Sequence, residues 1–392
     1  MRFVSDIEVK GKLVFLRVDF NVPLDESGAI RDDTRIRASL PTVKDLLDRG
    51  ARLVIASHLG RPKGKPDPKL SLKPAAVRLA QLVPYNIIMA PDVVGDEVER
   101  LKSGLREGQA LVLENVRFYK GEEANDPGFA HELGRGVEVY VNDAFGSSHR
   151  AHASVVGVAE FAPVRAAGFL MGKEVEALKR VVHSPEKPYI AVLGGAKVSD
   201  KIEVIESLIG KADRILIGGA MAYTFLYAQG FGVGRSLVEP DQKETALAVL
   251  ARAGEKGVRV DLPLDHLIAS SADAGADLAI ADSLPLPEGM MGVDIGPRTT
   301  AEYAGAVAGA RTIFWNGPMG IFEVEPFAGG TMEIARAVAA SGAFSVVGGG
   351  DSIAALKKAG LKDKVSHVST GGGASLEYIA YGTLPGIDVL EK

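Results

Sequence analysis

Short apolar runs alternate along the whole chain with stretches in which apolar residues recur every three or four positions. A short apolar run bounded by turn residues predicts a buried strand, whereas the longer period predicts a helix with one apolar face. Regular alternation of the two predicts βα units, and therefore parallel sheets covered by helices on both faces. The predicted strands are 12–18, 51–57, 110–114, 137–142, 189–193, 213–218, 278–281, 311–315 and 344–348.

The stretches between these strands supply the predicted helices. Several begin beside a polar residue that can cap a helix, such as Ser199 and Asp351. Helices are expected at 34–49, 73–83, 199–209, 240–256, 298–309, 330–341 and 352–359.

The length of 392 residues exceeds what a single hydrophobic core usually supports, which predicts two domains. Residues 165–185 suit a connection, because they combine an amphipathic helix pattern with a proline-flanked polar loop. We therefore expect an α/β protein with two doubly wound, parallel-sheet (Rossmann-like) domains joined by a hinge helix. The expected domains are residues 1–170 and 171–374.

The composition of the chain argues against several classes of protein. The chain has no cysteine, which excludes disulfides and thiolate metal sites and favours a reducing compartment. Its net charge of −5 argues against a nucleic-acid partner. The first residues lack the apolar stretch of a signal peptide, and no segment reaches the ~18 apolar residues of a membrane span. We expect a cytoplasmic protein without a membrane partner.

Candidate chemistry lies where doubly wound sheets bind their ligands, beyond the carboxyl ends of the strands. In RVDFNVP, Asp19 and Asn21 lie two apart after a strand, so both can face one ligand. An Asx turn that closes the strand is the alternative. In SHLGRP, His58 and Arg61 share a glycine turn and can bind a phosphate or a carboxylate together, although His58 alone is also typical of a structural histidine.

Three further arginines of the first half are candidates for binding a phosphorylated acid, because guanidinium groups present paired N–H donors to such anions. Arg35 opens a predicted helix, and a surface ion pair with Asp32 or Asp33 is its alternative role. Arg117 in LENVRF and Arg150 in DAFGSSHRAH have similar alternatives.

Glycine clusters replace the arginines in the second half. In GGAKVSDK, Gly195 lies in a predicted turn after a strand, and Lys197 and Lys201 flank the start of the next helix. Lysines there are unfavourable against the helix dipole unless an anion neutralises them, which favours a phosphate site. The spacing differs from that of a Walker A loop.

The segment GGGDS places Gly349 and Gly350 after a strand, where glycine lets the backbone approach a phosphate closely. Asp351 and Ser352 follow at a helix start. Asp351 is a candidate ligand of Mg²⁺, a cation that prefers carboxylate and phosphate oxygens. A helix N-cap is the alternative role of Asp351.

The segment WNGPMGIFE adds Asn316 after a strand and Glu323, whose carboxylate can accept hydrogen bonds from ribose hydroxyls. A packed proline–glycine turn is the alternative.

Guanidinium groups in one half of the chain and glycine turns in the other predict a transferase with two substrates. The competing hypotheses are a phosphotransferase for another small acid, a nucleotide or anion sensor on the same fold, and a dinucleotide-dependent oxidoreductase. The absence of a G-x-G-x-x-G after the first strand of either half disfavours the last of these.

Nine segments, taken together, resemble the phosphoglycerate kinase family in the family's order and across nearly the whole chain: RVDFNVP, SHLGRP, LENVRF, DAFGSSHRAH, GFLMGKEVEAL, GGAKVSDKI, WNGPMGIFE, GGGDS and TGGGASLEYI. The resemblance implies reversible transfer of the acyl phosphate of 1,3-bisphosphoglycerate to Mg·ADP, which gives 3-phosphoglycerate and Mg·ATP. It further implies a monomer, closure of two domains about a hinge, and a C-terminal segment, 375–392, that packs on the N-terminal domain.

The resemblance also implies residue roles. Arg35 and Lys201 would act on the transferred phosphoryl group, and Asp351 would lie near the magnesium ion. The implied phosphoglycerate site is Asp19, Asn21, Arg35, His58, Arg61, Arg117 and Arg150. The implied nucleotide site is Gly195, Lys197, Lys201, Asn316, Glu323, Gly349, Gly350, Asp351 and Ser352.

Overall fold

The structure, a computed structural model, describes residues 1–392. The chain forms two compact units, of which one is Met1–Glu176 together with Thr383–Lys392 and the other is Ala177–Gly382. The domain boundaries expected at 170 and 374 lie a few residues before those of the units. None of the helices combines the length and the hydropathy that crossing a bilayer requires.

The first unit is built on six strands: β1 (Leu13–Arg17), β2 (Arg52–Ala56), β3 (Asn86–Met89), β4 (Gln109–Val112), β5 (Val139–Asn142) and β6 (Val164–Ala167). They form one parallel sheet in the order β3-β4-β2-β1-β5-β6. In the register of the central strand, Leu16 lies between Ile55 of β2 and Val141 of β5. The first strand in the middle and later strands on both sides make a doubly wound sheet.

Nine strands follow in the second unit: β7 (Tyr189–Leu193), β8 (Arg214–Ile217), β9 (Arg259–Asp261), β10 (His266–Ala269), β11 (Leu278–Ala281), β12 (Met291–Ile295), β13 (Thr312–Asn316), β14 (Phe344–Gly348) and β15 (His367–Val368). Six of them form a parallel sheet in the order β15-β14-β13-β7-β8-β9. Together with the sheet of the first unit, this sheet confirms the prediction of two parallel-sheet α/β domains.

Helices formed at all seven predicted ranges and in the segment 165–185. Helix α7 begins in the first unit and ends in the second, whereas the last helix, α15, belongs to the first unit. A single π-helical turn, Ala153–Gly157, precedes α6. The helices are α1 (Thr34–Asp48), α2 (Lys73–Leu82), α3 (Asp96–Ser103), α4 (Lys120–Glu123), α5 (Pro127–Leu133), α6 (Val158–Phe161), α7 (Phe169–His183), α8 (Ile202–Leu208), α9 (Met221–Ala228), α10 (Lys243–Glu255), α11 (Pro297–Ala308), α12 (Gly329–Ala340), α13 (Gly350–Lys358), α14 (Gly373–Tyr381) and α15 (Pro385–Glu391). Of these, α3, α4, α5, α6, α9, α14 and α15 were not predicted.

Each unit has its own apolar core between sheet and helices. In the first unit, Val14 and Leu16 of β1 pack with Ile36 and Val43 of α1 in one buried cluster. In the second, the only tryptophan of the chain, Trp315, is completely buried in β13, and its Nε1 donates to the Gly317 carbonyl oxygen over 2.8 Å. Burying each large apolar side chain contributes about 1.5–3 kcal/mol, so these clusters stabilise the two sheets.

The prediction for residues 278–281 was right about the strand but wrong about its sheet. β11 is the edge of a small antiparallel sheet with the order β11-β10-β12. No helix separates β10 from β11, and strands joined by a short loop pair in antiparallel fashion. The sequence pattern did not predict β3, β6, β9, β10, β12 or β15, which are short or carry polar and exposed residues.

Two predicted helix caps were also wrong. The hydroxyl of Ser199 donates to Glu239 over 2.6 Å, and the N-cap of α8 is Lys201. The N-cap of α13 is Gly349, with Asp351 already in the first turn of the helix. The reason at α13 is the backbone, because Gly349 has a φ of 88°, a conformation that favours glycine over aspartate.

A buried carboxyl group holds the start of α7. Oδ1 of Asp143, after β5, accepts the backbone N–H groups of Leu170 over 2.9 Å and Met171 over 3.2 Å. Asp143 is completely buried and its Oδ2 has no hydrogen-bond partner. Burial raises the pKa of Asp143 to about 7. The anchor of α7 is therefore a carboxyl group that binds its proton more tightly in the folded chain.

We expect Asp143→Asn to change how stability depends on pH. In the folded chain Asp143 keeps its proton up to about pH 7, whereas its ordinary pKa is 3.8. Its contribution to the free energy of unfolding therefore falls as the pH rises through that interval. Asparagine keeps the Oδ1 acceptor and has no proton to lose. The Tm of the variant, followed by circular dichroism, should rise relative to wild type between pH 5 and pH 8.

Asp126→Asn is the control, because Asp126 also accepts a helix N–H, that of Phe129 over 2.8 Å, but lies on the surface. Subtracting its effect removes the general consequence of losing a carboxylate. An Asp143→Asn effect on Tm that is the same at every pH would contradict the prediction.

Candidate active site

Hydrogen bonds join the turns that follow β1 and β2. Oδ1 of Asn21 accepts the Gly60 N–H over 2.9 Å, and the Asn21 N–H in turn donates to Oδ1 of Asp19 over 3.1 Å. Oδ2 of Asp19 accepts from Nη1 of Arg35 over 2.8 Å. The Asx turn that was the alternative role of this pair is present, and the second oxygen of Asp19 faces a basic side chain, whereas ligand binding by the pair stays a prediction. The partner of Arg35 comes from the strand end and not from its own helix start.

His58 is buried at the end of β2, with only 5% of its surface exposed. Its Nδ1 lies 3.1 Å from Nη2 of Arg17, an arginine with no exposed surface at the end of β1. Burial lowers the pKa of His58 well below its ordinary value, and the charges of Arg17, Arg117 and Arg35 lower it further. The imidazole is therefore neutral and can act as a hydrogen-bond donor without carrying charge.

The turn after β4 joins the same region through Arg117. Nη1 of Arg117 donates to the Gly60 carbonyl oxygen over 2.9 Å, and its Nε lies 3.5 Å from Oε1 of Glu123. Arg117 is buried, and burial lowers the pKa of its guanidinium. Arg61 and Arg150 are exposed, and Nε of Arg150 donates to its neighbour His149 over 3.2 Å.

Two residues of this cationic region were missed by the sequence reasoning. Arg17 and His152 are both buried, and burial with the neighbouring arginine charges lowers the pKa of His152 to about 3. The signal for Arg17 was present in the sequence, since it ends an otherwise apolar strand and must find partners inside the protein. No comparable signal marked His152.

In the second unit, the turns after β7, β8 and β13 touch backbone to backbone. A Cβ atom on Gly194 would lie 2.0 Å from the Pro318 carbonyl oxygen, and one on Gly317 would lie 2.2 Å from the Gly194 carbonyl oxygen. A Cβ on Gly219 would lie 2.6 Å from the Gly195 nitrogen. Gly219 and Gly317 also have positive φ angles, of 68° and 98°. Only glycine permits this contact.

Lys201 lies beside these turns. Its Nζ donates to Oδ1 of Asn316, at the end of β13, and burial lowers the pKa of the lysine. Nδ2 of Asn316 is buried without a partner in the chain. The hydroxyl of Ser352 accepts the Gly317 N–H over 2.6 Å, so Ser352 fixes the turn itself. Lys201 and Asn316 thus place a cation and an unused donor at one strand end.

A cavity of about 280 Å³ opens next to the glycine turns. Of the predicted nucleotide residues, Gly195, Glu323 and Asp351 line it, together with apolar side chains that include Tyr223 and Leu237. Lys197 and Gly350 are exposed and do not line this cavity. A concave and mostly apolar pocket with a few polar groups at one end suits a flat ring with a polar tail.

The side chains around the cavity offer few ligands for a magnesium ion. No group of three or more histidine, aspartate or glutamate side chains in residues 1–392 could hold a metal by itself. Asp351 is exposed in the first turn of α13 and lines the cavity together with Glu323. Mg²⁺ usually takes one or two carboxylates plus substrate phosphate oxygens, so this donor set fits an ion that arrives with a nucleotide.

Known proteins resemble the chain over its full length. The model of the family "Phosphoglycerate kinase" matches residues 4–381. The phosphoglycerate kinase of Anaeromyxobacter dehalogenans (strain 2CP-C) is 53% identical over 394 residues, which covers 100% of both chains. The cytosolic phosphoglycerate kinase of Triticum aestivum is 51% identical over 392 residues, with 99% and 98% covered.

Solved structures agree with the sequence matches. The structure of phosphoglycerate kinase from Coxiella burnetii superposes with a TM-score of 0.91 at 42% identity, covering 99% of this chain and 97% of that one. Two parallel-sheet units, one with a cationic cluster and one with glycine turns, define an enzyme of the phosphotransferase class. Within that class, the chain belongs to the phosphoglycerate kinase family, and its glycolytic kinase reaction follows from that membership.

We expect Gly194→Ala to disrupt the nucleotide side of the second unit. The added methyl group would meet the Pro318 carbonyl oxygen at 2.0 Å, so the turns after β7 and β13 must separate. Overpacking of this kind costs about 1–3 kcal/mol. Thermal unfolding should show a lower Tm, and calorimetric titration should show weakened binding of ADP.

Gly254→Ala is the matched control. Gly254 lies inside α10, and a Cβ atom there would have nothing within 4 Å. Alanine is favoured over glycine in a helix by about 0.5–1 kcal/mol, so this variant should be slightly more stable than wild type. Equal effects of the two substitutions would rule out the close backbone contact as the cause.

Proposed function

We propose that this chain catalyses the reversible transfer of the acyl phosphate of 1,3-bisphosphoglycerate to Mg·ADP, giving 3-phosphoglycerate and Mg·ATP. One observation supports this beyond family membership. The first unit collects buried cationic side chains at the end of its sheet, whereas the second collects glycine turns and one partly buried lysine, Lys201. Guanidinium groups suit a small phosphorylated acid, and glycine turns before helices suit the phosphates of a nucleotide.

The proposed phosphoglycerate site lies at the turns after β1, β2 and β4. The neutral imidazole of His58 and the guanidinium of Arg117 would donate hydrogen bonds to the anion. Arg35 would release its ion pair with Asp19 and bind the phosphoryl group instead. Arg35 is suited to this exchange, because 41% of its side chain is exposed. The proposed residues are Asp19, Asn21, Arg35, His58, Arg61, Arg117 and Arg150.

The proposed nucleotide site combines the cavity with the surrounding strand ends. The base would enter the apolar part of the cavity, Glu323 would accept from the ribose, and the phosphates would face the start of α13. The proposed residues are Gly195, Lys197, Lys201, Asn316, Glu323, Gly349, Gly350, Asp351 and Ser352. Asp351 would hold Mg²⁺, which supplies positive charge to the phosphate oxygens when bound.

The chemistry requires charge neutralisation and alignment. The carboxylate of 3-phosphoglycerate is already ionised at neutral pH, so no general base is needed. Phosphoryl transfer then depends on positioning the reacting groups in line and on stabilising charge spread over the transferred oxygens. Arg35 and Lys201 are the catalytic residues of this proposal. Lys201 is held by its bond to Asn316, so its charge is in place before the substrates arrive.

We propose domain movement as part of the cycle, because the two substrates are assigned to different units. The hinges are the segment around 165–185, which contains α7, and the return of the chain to the first unit at Thr383. Small-angle scattering should give a smaller radius of gyration when both substrates are saturating than when neither or only one is present. An unchanged radius with both substrates bound would contradict closure.

The same scattering data give the molar mass. We propose a monomer, for which the forward intensity should correspond to 41.2 kDa. We also propose that the protein lies in the cytoplasm. We propose further that it has no nucleic-acid partner, in keeping with its net charge of −5.

We expect turnover of 3-phosphoglycerate and ATP that stops when Mg²⁺ is chelated. Lys201→Ala and Arg35→Ala should each lower kcat about 10²–10³-fold, because each removes a cation from the transferred phosphoryl group. A coupled dehydrogenase assay that follows NADH oxidation measures both rates. Turnover without Mg²⁺, or full activity in either variant, would refute these assignments.

Matched controls lie close by in the chain. Arg37 is on α1 like Arg35 but pairs with Asp33 over 2.8 Å, and Lys211 is partly buried like Lys201 but bonds Ser207. Arg37→Ala and Lys211→Ala should retain activity within about twofold. Binding of ADP without any turnover would favour a sensor or a kinase of another acid.

A further inference from the structure

A chain of buried hydrogen bonds leads from Glu122 to His58 in the first unit. Oε1 of Glu122 lies 2.6 Å from Oγ of Ser154, and Oε2 accepts the Ser154 backbone N–H over 2.8 Å. The same Oγ lies 2.8 Å from Nε of Arg17, whose Nη2 lies 3.1 Å from Nδ1 of His58. Glu122, Ser154 and Arg17 have no exposed surface, so water does not complete these bonds.

The direction of every bond follows from the donor groups. An arginine side chain only donates, and a carboxylate only accepts. Ser154 has one hydroxyl proton, which must go to Glu122, and its oxygen must accept from Arg17. The chain therefore runs one way, from Arg17 through Ser154 to Glu122. Bonds aligned in this manner polarise and strengthen one another in a buried site.

The same reasoning determines the tautomer of His58. Because Nη2 of Arg17 can only donate, Nδ1 of His58 must be the acceptor, and the proton of the neutral ring is on Nε2. The contact with Arg17 is the side-chain hydrogen bond of this imidazole, so the Nε2–H remains for another acceptor. Three of the side chains that act on His58, those of Arg17, Arg117 and Arg35, are cations, which favours an anionic acceptor.

The burial of Arg17 explains why a buried carboxylate is needed beside it. An unpaired guanidinium in the interior is costly, and Glu122 provides the countercharge for Arg17. Burial raises the pKa of Glu122, and the positive charge of Arg17 opposes that rise. Ser154 lies in the π-helical turn Ala153–Gly157, an irregularity that is frequent at functional sites. Nδ1 of His152 lies 3.7 Å from Oε1 of Glu122 without a hydrogen bond.

We propose that Glu122 and Ser154 are positioning residues for phosphoglycerate binding, because they fix the Arg17 fork so that His58 keeps its proton on Nε2 and donates it to the anion. This inference rests on the proposed function, in which His58 contacts the phosphorylated acid. Neither Glu122 nor Ser154 touches the substrate. A role in folding alone would not affect the tautomer of His58 or the affinity for one substrate only.

Long-range ¹H–¹⁵N correlation spectra of histidine-labelled protein test the inference directly. The chain has 7 histidines, and a spectrum of His58→Gln assigns the signal. In wild type, His58 should show a protonated Nε2 and an accepting Nδ1 at neutral pH. A protonated Nδ1, or a mixture of tautomers, overturns the inference without any need for a variant that folds.

Ser154→Ala tests the positioning role. We expect a mixture of His58 tautomers and a KM for 3-phosphoglycerate raised about tenfold, the factor for losing one hydrogen bond to a charged group. The KM for ATP should stay within about twofold. Glu122→Gln keeps the shape of the side chain but removes its charge, and it should likewise mix the His58 tautomers and raise the KM for 3-phosphoglycerate. An unchanged tautomer with an unchanged KM in a folded Ser154→Ala protein overturns the proposal.

Ser71→Ala is the matched control, since Ser71 donates to Glu114 over the same 2.6 Å but bonds no arginine. It should leave the tautomer and both KM values unchanged. If wild type turns over and His58→Gln keeps the KM for 3-phosphoglycerate, the assignment of His58 to the site fails and the inference falls with it. If wild type shows no turnover, the proposed function fails, and a tautomer change in Ser154→Ala still supports the hydrogen-bond chain.

Discussion

Backbone meets backbone at the carboxyl ends of β7, β8 and β13, where Gly194, Gly219 and Gly317 leave no room for a Cβ atom. The ladders that pair β7 with β13 and with β8 hold the strand ends together, and the glycines let the turns beyond them touch, which the neighbouring features of the second unit depend on. The Ser352 hydroxyl, at the start of α13, accepts the Gly317 N–H and holds that turn. Oδ1 of Asn316, at the end of β13, accepts a hydrogen bond from Nζ of Lys201. The cavity lies beside the turns, and Gly195, Gly219 and Gly320 form part of its lining.

The first unit differs in this respect, because charged side chains, and not closely packed backbone, lie at the ends of its strands. Arg17 ends the central strand without any exposed surface, and a buried carboxylate and hydroxyl compensate for it. Burial, together with the arginine charges, lowers the pKa of His58 and keeps it neutral, and the arginines leave a cationic region beside the turn at Gly60. The strand ends of the two units thus differ in chemistry, with closely packed glycine turns beside Lys201 in one and a cluster of arginines in the other.

The sequence predicted the features that local patterns control. Apolar runs such as 189–193 coincide with strands, and the rule for parallel sheets placed Asp19, His58 and Asn316 at strand ends. Local patterns did not reveal β9, whose residues are Arg-Val-Asp, or the antiparallel pairing of β11. They also could not reveal the support for Arg17, because Ser154 and Glu122 meet it only through the tertiary fold.

The burial of Trp315 in β13 has a consequence for spectroscopy. The chain has 1 tryptophan, and it lies wholly inside the second unit, bonded to the Gly317 turn. Its emission therefore reports the environment of one unit, whereas far-ultraviolet ellipticity sums the helices of both. The two signals can share a single denaturation midpoint only when the units lose their structure together, so comparing them measures the cooperativity between the two halves of the molecule.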